Sequence, residues 1–198
     1  MINPLKKYNS RGFADKSVKV IRLDKNPEAV ITIGDNYYLR SGTVIYEKTK
    51  IGKNFITGHN AVIREENRIG DNVIVGVGSY LGPGNIIGNN VRIHTNCFVE
   101  NCRLADGVII APGVTFTNDP YPPCKICVGE IGGAVVGKSS VIGANVTVLP
   151  GITIGKNCLI GAGSVVTHNL ADEVVAVGNP ARIIKKISQL KHIHQKLK

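Results

Sequence analysis

The chain contains no tryptophan and one methionine, and only 5% of its 198 residues are aromatic although 43% are hydrophobic. Aromatic side chains supply much of the buried area in ordinary globular cores. A core built mainly from Val, Ile and Ala, in a chain with 23 glycines, is typical of a thin interior made of stacked, similar layers. The shortage of aromatic residues therefore disfavours an irregular globular core.

Long apolar runs are also missing. No run approaches the ~20 residues of a membrane-spanning helix, and residues 1–10 lack the apolar centre of a secretory signal. The five cysteines are an odd number, and Cys97 and Cys158 stand at repeat positions otherwise held by Val or Ala. We therefore expect a cytoplasmic protein with no membrane span, with reduced thiols and with buried cysteines that act as small hydrophobic side chains.

Acidic residues are scarce relative to basic ones, with 14 Asp and Glu against 24 Lys and Arg, which gives a net charge of +10. Six of the basic residues fall between Arg182 and Lys198, where no acidic residue occurs. Such a tail suits an anionic partner, which could be nucleic acid, an anionic membrane surface or a phosphorylated small molecule. We expect no nucleic acid, because no aromatic side chains alternate with the charges.

What the chain has in abundance is a repeat. The signature Ile-Gly-x-Asn recurs every 18 residues, at Ile33, Ile51, Ile69 and Ile87. An aliphatic residue leads almost every unit of six, a period that matches neither a helix nor a simple strand. A short strand followed by a tight Gly or Asn turn fits the unit, and three units make one triangular coil of a parallel β-helix. The sequence thus predicts an all-β fold of about seven triangular coils.

The repeat divides the chain into three parts. Residues 1–28 are out of phase and predict an N-terminal cap segment with one strand over Val18–Leu23. Residues 29–182 are predicted to form the β-helix, which an inserted loop interrupts at residues 117–135. In residues 183–198, apolar residues step by four and three positions, which predicts a short, amphipathic and basic C-terminal helix.

The run after the insertion carries the clearest motifs. Gly143-Ala144 and Gly161-Ala162 are 18 residues apart, so they should stack on adjacent coils and leave backbone polar groups open to an extended ligand. The stretch from Ala134 to Ile184 resembles the acetyl-CoA-binding end of hexapeptide acyltransferases. The resemblance implies a left-handed β-helix, acetyl-CoA as the donor, and a donor site formed by Gly143, Ala144, Gly161, Ala162, Asn179, Pro180, Arg182 and Lys185.

A second resemblance concerns the residues around the start of the insertion. Glu100 and the run Phe116-Thr117-Asn118 resemble the active-site segment of N-acetyltransferases that act on nucleotide-linked amino sugars. In those relatives a Glu stands where others carry a His base. The resemblance implies that Glu100 and Asn118 position the acceptor amine and help to remove its proton. His94 lies one coil before Asn118 and is the third candidate catalytic residue.

The insertion carries further candidates. Its prolines should stiffen it into an extended arm, and Asp119 and Tyr121 on this arm are candidate substrate-binding residues. Cys124 and Cys127 form a CxxC pair, which supplies only two of the four ligands of a structural zinc site. The two cysteines could be ordinary loop residues, a redox pair, or part of a metal site whose other ligands come from elsewhere or from other subunits. We expect no metal.

The resemblances predict an acetyl-CoA-dependent enzyme that N-acetylates a nucleotide-linked amino sugar used in surface polysaccharide synthesis. A homotrimer is expected, because a flat-faced prism buries little alone and because sites in the resembling superfamily lie between subunits. An O-acetyltransferase acting on a sugar or similar small acceptor is one alternative, and its greater need for a base favours His94. A non-catalytic or carbonic-anhydrase-like β-helix subunit is the other alternative. The metal enzymes that it resembles need three histidines, whereas only His59 and His94 precede the insertion.

Overall fold

A computed structural model of the chain describes residues 11–23, 31–121 and 132–190. This part of the chain winds into a left-handed parallel β-helix whose three sheets form the faces of a triangular prism. Each full coil contributes one short strand to each face, and strands on neighbouring coils pair in parallel. The predicted all-β hexapeptide fold is therefore confirmed.

The three sheets are named A, B and C in the order in which the chain visits them. Sheet A contains β1 (Gly12–Ala14), β4 (Tyr37–Leu39), β7 (Ile56–Thr57), β10 (Ile74–Val75), β13 (Arg92–Ile93), β16 (Ile109–Ile110), β19 (Val141–Ile142), β22 (Leu159–Ile160), β24 (Val174–Val177) and β25 (Arg182–Lys186). Sheet B contains β2 (Lys19–Ile21), β5 (Val44–Tyr46), β8 (Val62–Ile63), β11 (Tyr80–Leu81), β14 (Phe98–Val99), β17 (Thr115–Phe116), β20 (Thr147–Val148) and β23 (Val165–Val166). Sheet C contains β3 (Thr32–Ile33), β6 (Lys50–Ile51), β9 (Arg68–Ile69), β12 (Ile86–Ile87), β15 (Arg103–Leu104), β18 (Val135–Val136) and β21 (Thr153–Ile154).

The six-residue unit explains the interior. In each two-residue strand the second side chain is buried and the first lies on the outer face. The turn that follows a strand takes a positive φ, usually at Asn or Gly, as at Asn54 (57°) and Gly78 (64°), which these residues adopt at low cost. The result is a narrow aliphatic core, and in sheet C its inward column consists of Ile33, Ile51, Ile69, Ile87, Leu104, Val136 and Ile154.

The β-helix has about eight coils rather than the predicted seven, since sheet B alone contains eight strands. The additional coil comes from residues 11–23, where β1 pairs in parallel with β4 and β2 pairs in parallel with β5. The predicted capping strand over Val18–Leu23 overlaps β2, whereas β1 was not predicted. This segment is out of phase with the repeat, so periodicity could not detect it.

The C-terminal segment differs from the prediction. Residues Arg182–Lys186 form β25, which pairs antiparallel with β24, and Ile187–Gln189 form one 3-10 turn. The amphipathic helix predicted from residue 183 is therefore wrong for residues 183–186, and residues 191–198 lie outside the described ranges. The unpaired edge of β24 offers hydrogen-bond partners, and the β-branched Ile183 and Ile184 favour a strand. No helix within the described ranges is long and apolar enough to cross a membrane.

The corners of successive coils stack into three edges. Edge AB joins each strand of sheet A to the next strand of sheet B, and edge BC joins sheet B to sheet C. Sheet B is thus the face between these two edges, and edge CA completes the prism. The described corner residues of interest on edge AB are Gly76, His94, Ala111, Gly143 and Gly161, and those on edge BC are Arg64, Gly82, Glu100 and Asn118.

Candidate active site

Edge BC carries the predicted catalytic pair. Glu100 follows β14, and Asn118 lies at the equivalent corner of the next coil, just after β17. Asn118 Nδ2 donates a hydrogen bond to Glu100 Oε1 at 2.9 Å, and both side chains are partly buried. The bond fixes one carboxylate oxygen of Glu100 and leaves the amide oxygen of Asn118 and the other carboxylate oxygen as acceptors for a ligand.

The two ends of the insertion close over this pair. Asn118 O accepts a hydrogen bond from Gly132 N at 2.9 Å, and Gly132 O accepts one from Gly151 N at 3.1 Å. A Cβ on the next residue, Gly133, would lie 2.5 Å from the carbonyl carbon of Asn101, so only glycine lets the returning chain pass against the Glu100 corner. The insertion therefore begins and ends at the candidate catalytic pair.

The described part of the insertion places the two predicted substrate residues near its start. Asp119 Oδ1 accepts a hydrogen bond from Tyr121 N at 2.9 Å, and the Tyr121 side chain is 63% exposed. Their contact with an acceptor stays a prediction. Cys124 and Cys127 lie outside the described residues.

Edge AB carries the predicted donor residues. Gly143 and Gly161 stack on neighbouring coils, where Gly143 N donates to Ile160 O at 2.9 Å and Gly161 N donates to Ala176 O at 2.9 Å. A Cβ on Gly143 would lie 2.6 Å from Ala162 N. The predicted stacking is confirmed, and the N–H groups of Ala144 and Ala162 have no hydrogen-bond partner within the described ranges. We name this strip of small residues the AB groove: Gly143, Ala144, Gly161 and Ala162.

The remaining predicted donor residues lie at the C-terminal end of the same edge. Asn179 and Pro180 are exposed in the turn that follows β24, directly beyond the AB groove. Arg182 and Lys185 are exposed on β25, and Arg182 Nη1 donates to Ala181 O at 3.2 Å. The predicted donor residues therefore gather along one edge and its end, and their binding roles stay predictions.

His94 is separated from the Glu100–Asn118 pair. It follows β13 on edge AB, in the same coil as Glu100 but at a different corner of the prism. The exposed imidazole lines a cleft of about 280 Å³ together with Arg40 and Arg92. The structure thus brings Glu100 together with Asn118, and places His94 on the same prism edge as the AB groove, two coils before Gly143, but does not join the two sets within one chain.

The two arginines of this cleft were not predicted as site residues from the sequence. Arg40 stands three 18-residue repeats before His94, so the repeat arithmetic places both at the same corner of different coils. Arg92 is the outward residue of β13. The signal was therefore present in the spacing, although an arginine on an outer face is by itself too common to indicate a site.

The described cysteines are not reactive groups. Cys97, Cys102 and Cys158 are buried free thiols, as predicted. Burial raises the pKa of all three, and that of Cys102 to about 12, so each stays protonated near neutral pH. In the part of the chain that the structure describes, no three His, Cys, Asp or Glu side chains form a group that could hold a metal ion.

Comparison with known proteins agrees with the repeat. Residues 133–168 match the family described as bacterial transferase hexapeptide (six repeats), and residues 66–101 match the hexapeptide repeat of succinyl-transferase. Serine acetyltransferase of Buchnera aphidicola is 34% identical over 116 residues, which are 54% of this chain and 42% of that protein. Galactoside O-acetyltransferase of Escherichia coli is 39% identical over 89 residues, which are 43% of this chain and 44% of that protein. The matches span less than half the length of these curated relatives.

A solved structure shares the fold over most of the chain. UDP-N-acetylglucosamine acyltransferase from Campylobacter jejuni superposes with a TM-score of 0.53 at 18% identity, covering 88% of this chain and 75% of that one. At this identity the likeness concerns the fold alone. The two family matches lie on either side of the insertion and agree with the 18-residue coil and the triangular β-helix, so the chain is a hexapeptide-repeat β-helix similar to the hexapeptide acyltransferases.

Proposed function

We propose that the protein is an acetyl-CoA-dependent acetyltransferase that N-acetylates the amine of a nucleotide-linked amino sugar, as for surface polysaccharide synthesis. The observation that carries the proposal is the hydrogen-bonded Glu100–Asn118 pair at the base of the insertion. An unprotonated amine is already a nucleophile, so it needs groups that orient it and accept a proton late in the reaction. A carboxylate and an amide oxygen side by side provide both.

Glu100 and Asn118 would together orient the acceptor amine and transfer one proton. Asn118 would hold the carboxylate of Glu100 in place and accept a hydrogen bond from the amine. Glu100 would take the proton that the nitrogen loses as its bond to the acyl carbon forms. The bond between the acyl carbon and sulfur breaks in the same exchange, and the proton finally resides on the released thiol.

The AB groove supports acetyl-CoA as the donor. Its small side chains leave room beside the backbone, and the N–H groups of Ala144 and Ala162 are available to the carbonyl oxygens of a pantetheine arm. Arg182 and Lys185 at the end of the edge offer positive charge for phosphates. Two matched relatives are named as acetyltransferases. A CoA-dependent reaction also fits a cytoplasmic location, which we propose with it.

The positions of the two edges support a site shared between chains. In a three-fold ring, edge AB of one chain can meet edge BC of the next when sheet B faces the axis, because sheet B lies between these edges. The outer face of sheet B is suited to burial, since Val62, Tyr80 and Phe98 are partly buried and the rings of Tyr80 and Phe98 stack at 5.3 Å. Sheet C instead exposes charged side chains outward, at Lys50, Arg68 and Arg103.

The cleft beside His94 supports a phosphorylated acceptor. Arg40 and Arg92 both line it, and guanidinium groups bind phosphate oxygens with paired hydrogen bonds. Two contacts fix the guanidinium group of Arg40. Its Nη1 donates a hydrogen bond to Thr57 O at 2.9 Å, and its central carbon lies 5.1 Å from the centre of the Tyr38 ring. A fixed guanidinium loses less freedom on binding than a mobile one. The cleft therefore offers two guanidinium groups to the phosphates of a nucleotide-linked sugar.

The test is a thiol-release assay with matched acceptors. Nucleotide-linked sugars that carry a free amine are compared with the same sugars carrying a hydroxyl at that carbon, with serine and with a galactoside. We expect thiol release with the amines alone. Acetyl-CoA at 100 times its Kd should also stabilise the protein by about 2.7 kcal/mol. Turnover of hydroxyl acceptors only, or no thermal shift with acetyl-CoA, would contradict the proposal.

An O-acetyltransferase is the second candidate, and the position of His94 favours it. His94 lies on the same edge as the AB groove, and a hydroxyl needs a base that titrates near neutral pH, which histidine supplies. One matched relative is named as an O-acetyltransferase. The two candidates differ in which residue the reaction depends on, so the variants of Glu100 and His94 separate them.

A further inference from the structure

The space occupied by the Glu100 carboxylate is the space that a side chain at position 82 would fill. Gly82 lies one coil before Glu100, at the same corner of edge BC. A Cβ built on Gly82 would lie 2.5 Å from Glu100 Cγ, 2.6 Å from Oε2 and 2.7 Å from Cδ, and these are its three nearest atoms. Glu100 is thus held between Gly82 below and Asn118 above.

Several other corner glycines are required for a different reason. A Cβ on Gly34 would meet the backbone of Gly52 and Lys53, and one on Gly70 would meet the backbone of Gly88 at 2.8 Å. Those glycines allow neighbouring coils to approach each other. At Gly82 the three nearest atoms all belong to one side chain and none to the backbone. Its φ is not positive, so turn geometry does not demand glycine there either.

The backbone around Gly82 and Glu100 is fixed from inside the prism. Gly82 O accepts hydrogen bonds from the buried side chains of Asn67 and Asn85, at 2.9 Å and 2.8 Å. Asn85 also donates to Val99 O at 3.2 Å and accepts from Cys102 N at 2.8 Å, on either side of Glu100. Because Asn85 binds both corners, the distance between the Gly82 and Glu100 backbones cannot easily widen.

We propose that Gly82 is a positioning residue. Because it has no side chain, it leaves the space in which the Glu100 carboxylate lies next to Asn118. The inference rests on the proposed role of Glu100. A methyl group at position 82 would strike a flexible side chain rather than the backbone, so the fold should survive. The carboxylate would have to rotate out of the corner, and its 2.9 Å bond with Asn118 would be lost.

The first measurement is the kcat of Gly82→Ala in the thiol-release assay. Misplacing a catalytic group by ~1 Å can cost about 10²-fold, and we expect a loss of this order. The KM for acetyl-CoA should not change, because neither Gly82 nor Glu100 is among the proposed donor-binding residues. Gly70→Ala is the matched control on edge CA, where a Cβ meets Asn89 Oδ1 at 2.6 Å as well as backbone. It should lower Tm and leave kcat unchanged.

The second measurement is a double-mutant cycle with Glu100→Ala, which removes the atoms that the added methyl group would strike. Gly82→Ala should cost no further kcat in the Glu100→Ala background, because two changes acting through one group are not additive. It should also lower Tm in the wild-type background and leave Tm unchanged in the Glu100→Ala background. If Gly82→Ala alone does not fold, the double variant should fold.

The outcomes separate the inference from the proposed function. A normal kcat for Gly82→Ala, alongside a large loss for Glu100→Ala, overturns the inference and leaves the proposed function standing. A double variant that is slower than Glu100→Ala, or that does not fold, also overturns it, because Gly82 would then act on something other than Glu100. A normal kcat for Glu100→Ala overturns the catalytic role of Glu100 and the expected effect of Gly82→Ala on kcat. The change in Tm caused by Gly82→Ala in the two backgrounds then decides whether Gly82 leaves the space that the Glu100 side chain occupies.

Discussion

Edge AB and edge BC of the prism are built from the same repeat, yet they present different chemistry. The AB groove on edge AB is lined by small residues and leaves the N–H groups of Ala144 and Ala162 open, whereas edge BC carries Glu100 and Asn118, which bind each other. An extended and largely neutral ligand suits the AB groove, and proton transfer suits edge BC. The repeat therefore fixes where the corners lie, and the few residues that depart from it determine what each edge can bind or catalyse.

The separation of the two edges leads to the largest expected effect. At an acetyl-CoA concentration well below the wild-type KM, Ala162→Phe, which fills the AB groove, and Glu100→Gln, which removes the carboxylate base, should each be poorly active alone. If one site uses edge AB of one chain and edge BC of the next, mixing the two variants at equal ratio through unfolding and refolding should restore about a quarter of wild-type activity. Each variant refolded alone is the control. No gain on mixing would show that one chain holds the whole site.

The pair on edge BC should account for most of the chemical step. Glu100→Gln should lower kcat by about 10²-fold, the low end for a lost general base, and Asn118→Ala should also raise the KM for the acceptor. Glu66→Gln is the control, because Glu66 is an exposed carboxylate on the same edge. Steady-state kinetics with a nucleotide-linked amino sugar measure all three. An equal loss for Glu66→Gln would point to the general charge of the edge rather than to the pair.

The fold could be predicted well from the sequence because each coil repeats the same local pattern of an inward aliphatic side chain followed by a tight turn. Ile51 and Asn54 predict an inward side chain and a left-handed turn, and the structure contains both. The segments outside the repeat could not be predicted in this way. β1 has no periodic signal in the sequence. The apolar spacing around Ile183 fits a helix, but this segment forms β25 because it pairs with the edge of β24.

The candidate site was only partly readable for the same reason. Glu100 and Asn118 are 18 residues apart, so the repeat predicts that they share one edge, although the 17-residue register of β14 and β17 places Thr117 directly over Glu100. His94 and Glu100 are six residues apart, and one unit of the repeat separates them onto different corners. The part played by Gly82 depends on the rotamer of Glu100 on the next coil. Spacing alone does not specify that rotamer.

The AB groove offers a smaller effect than the catalytic pair. Ala162→Phe should raise the KM for acetyl-CoA roughly tenfold or more, equivalent to a loss of about 1.4 kcal/mol of binding free energy, with kcat at saturating donor little changed. The reason is steric, because the ring would cover the open N–H groups of the groove. Ala171→Phe is the matched control, since Ala171 is an exposed alanine on edge CA. Similar donor kinetics for the two variants would place the donor elsewhere.

The smallest effect is expected at His94, and it decides between the two acceptor classes. If the acceptor is an amine, His94 only helps to hold the phosphorylated substrate in the cleft with Arg40 and Arg92, so His94→Asn should change kcat by no more than about threefold. If the acceptor is a hydroxyl, His94 must take its proton, and the same change should cost roughly 10³-fold or more. The measurement is kcat for His94→Asn against Glu100→Gln, each on the best amine and the best hydroxyl acceptor. His59→Asn is the control, because His59 lies at the same corner two coils earlier. A large loss at His94 with normal kcat for Glu100→Gln would move the chemistry from edge BC to edge AB and make the O-acetyltransferase the better description.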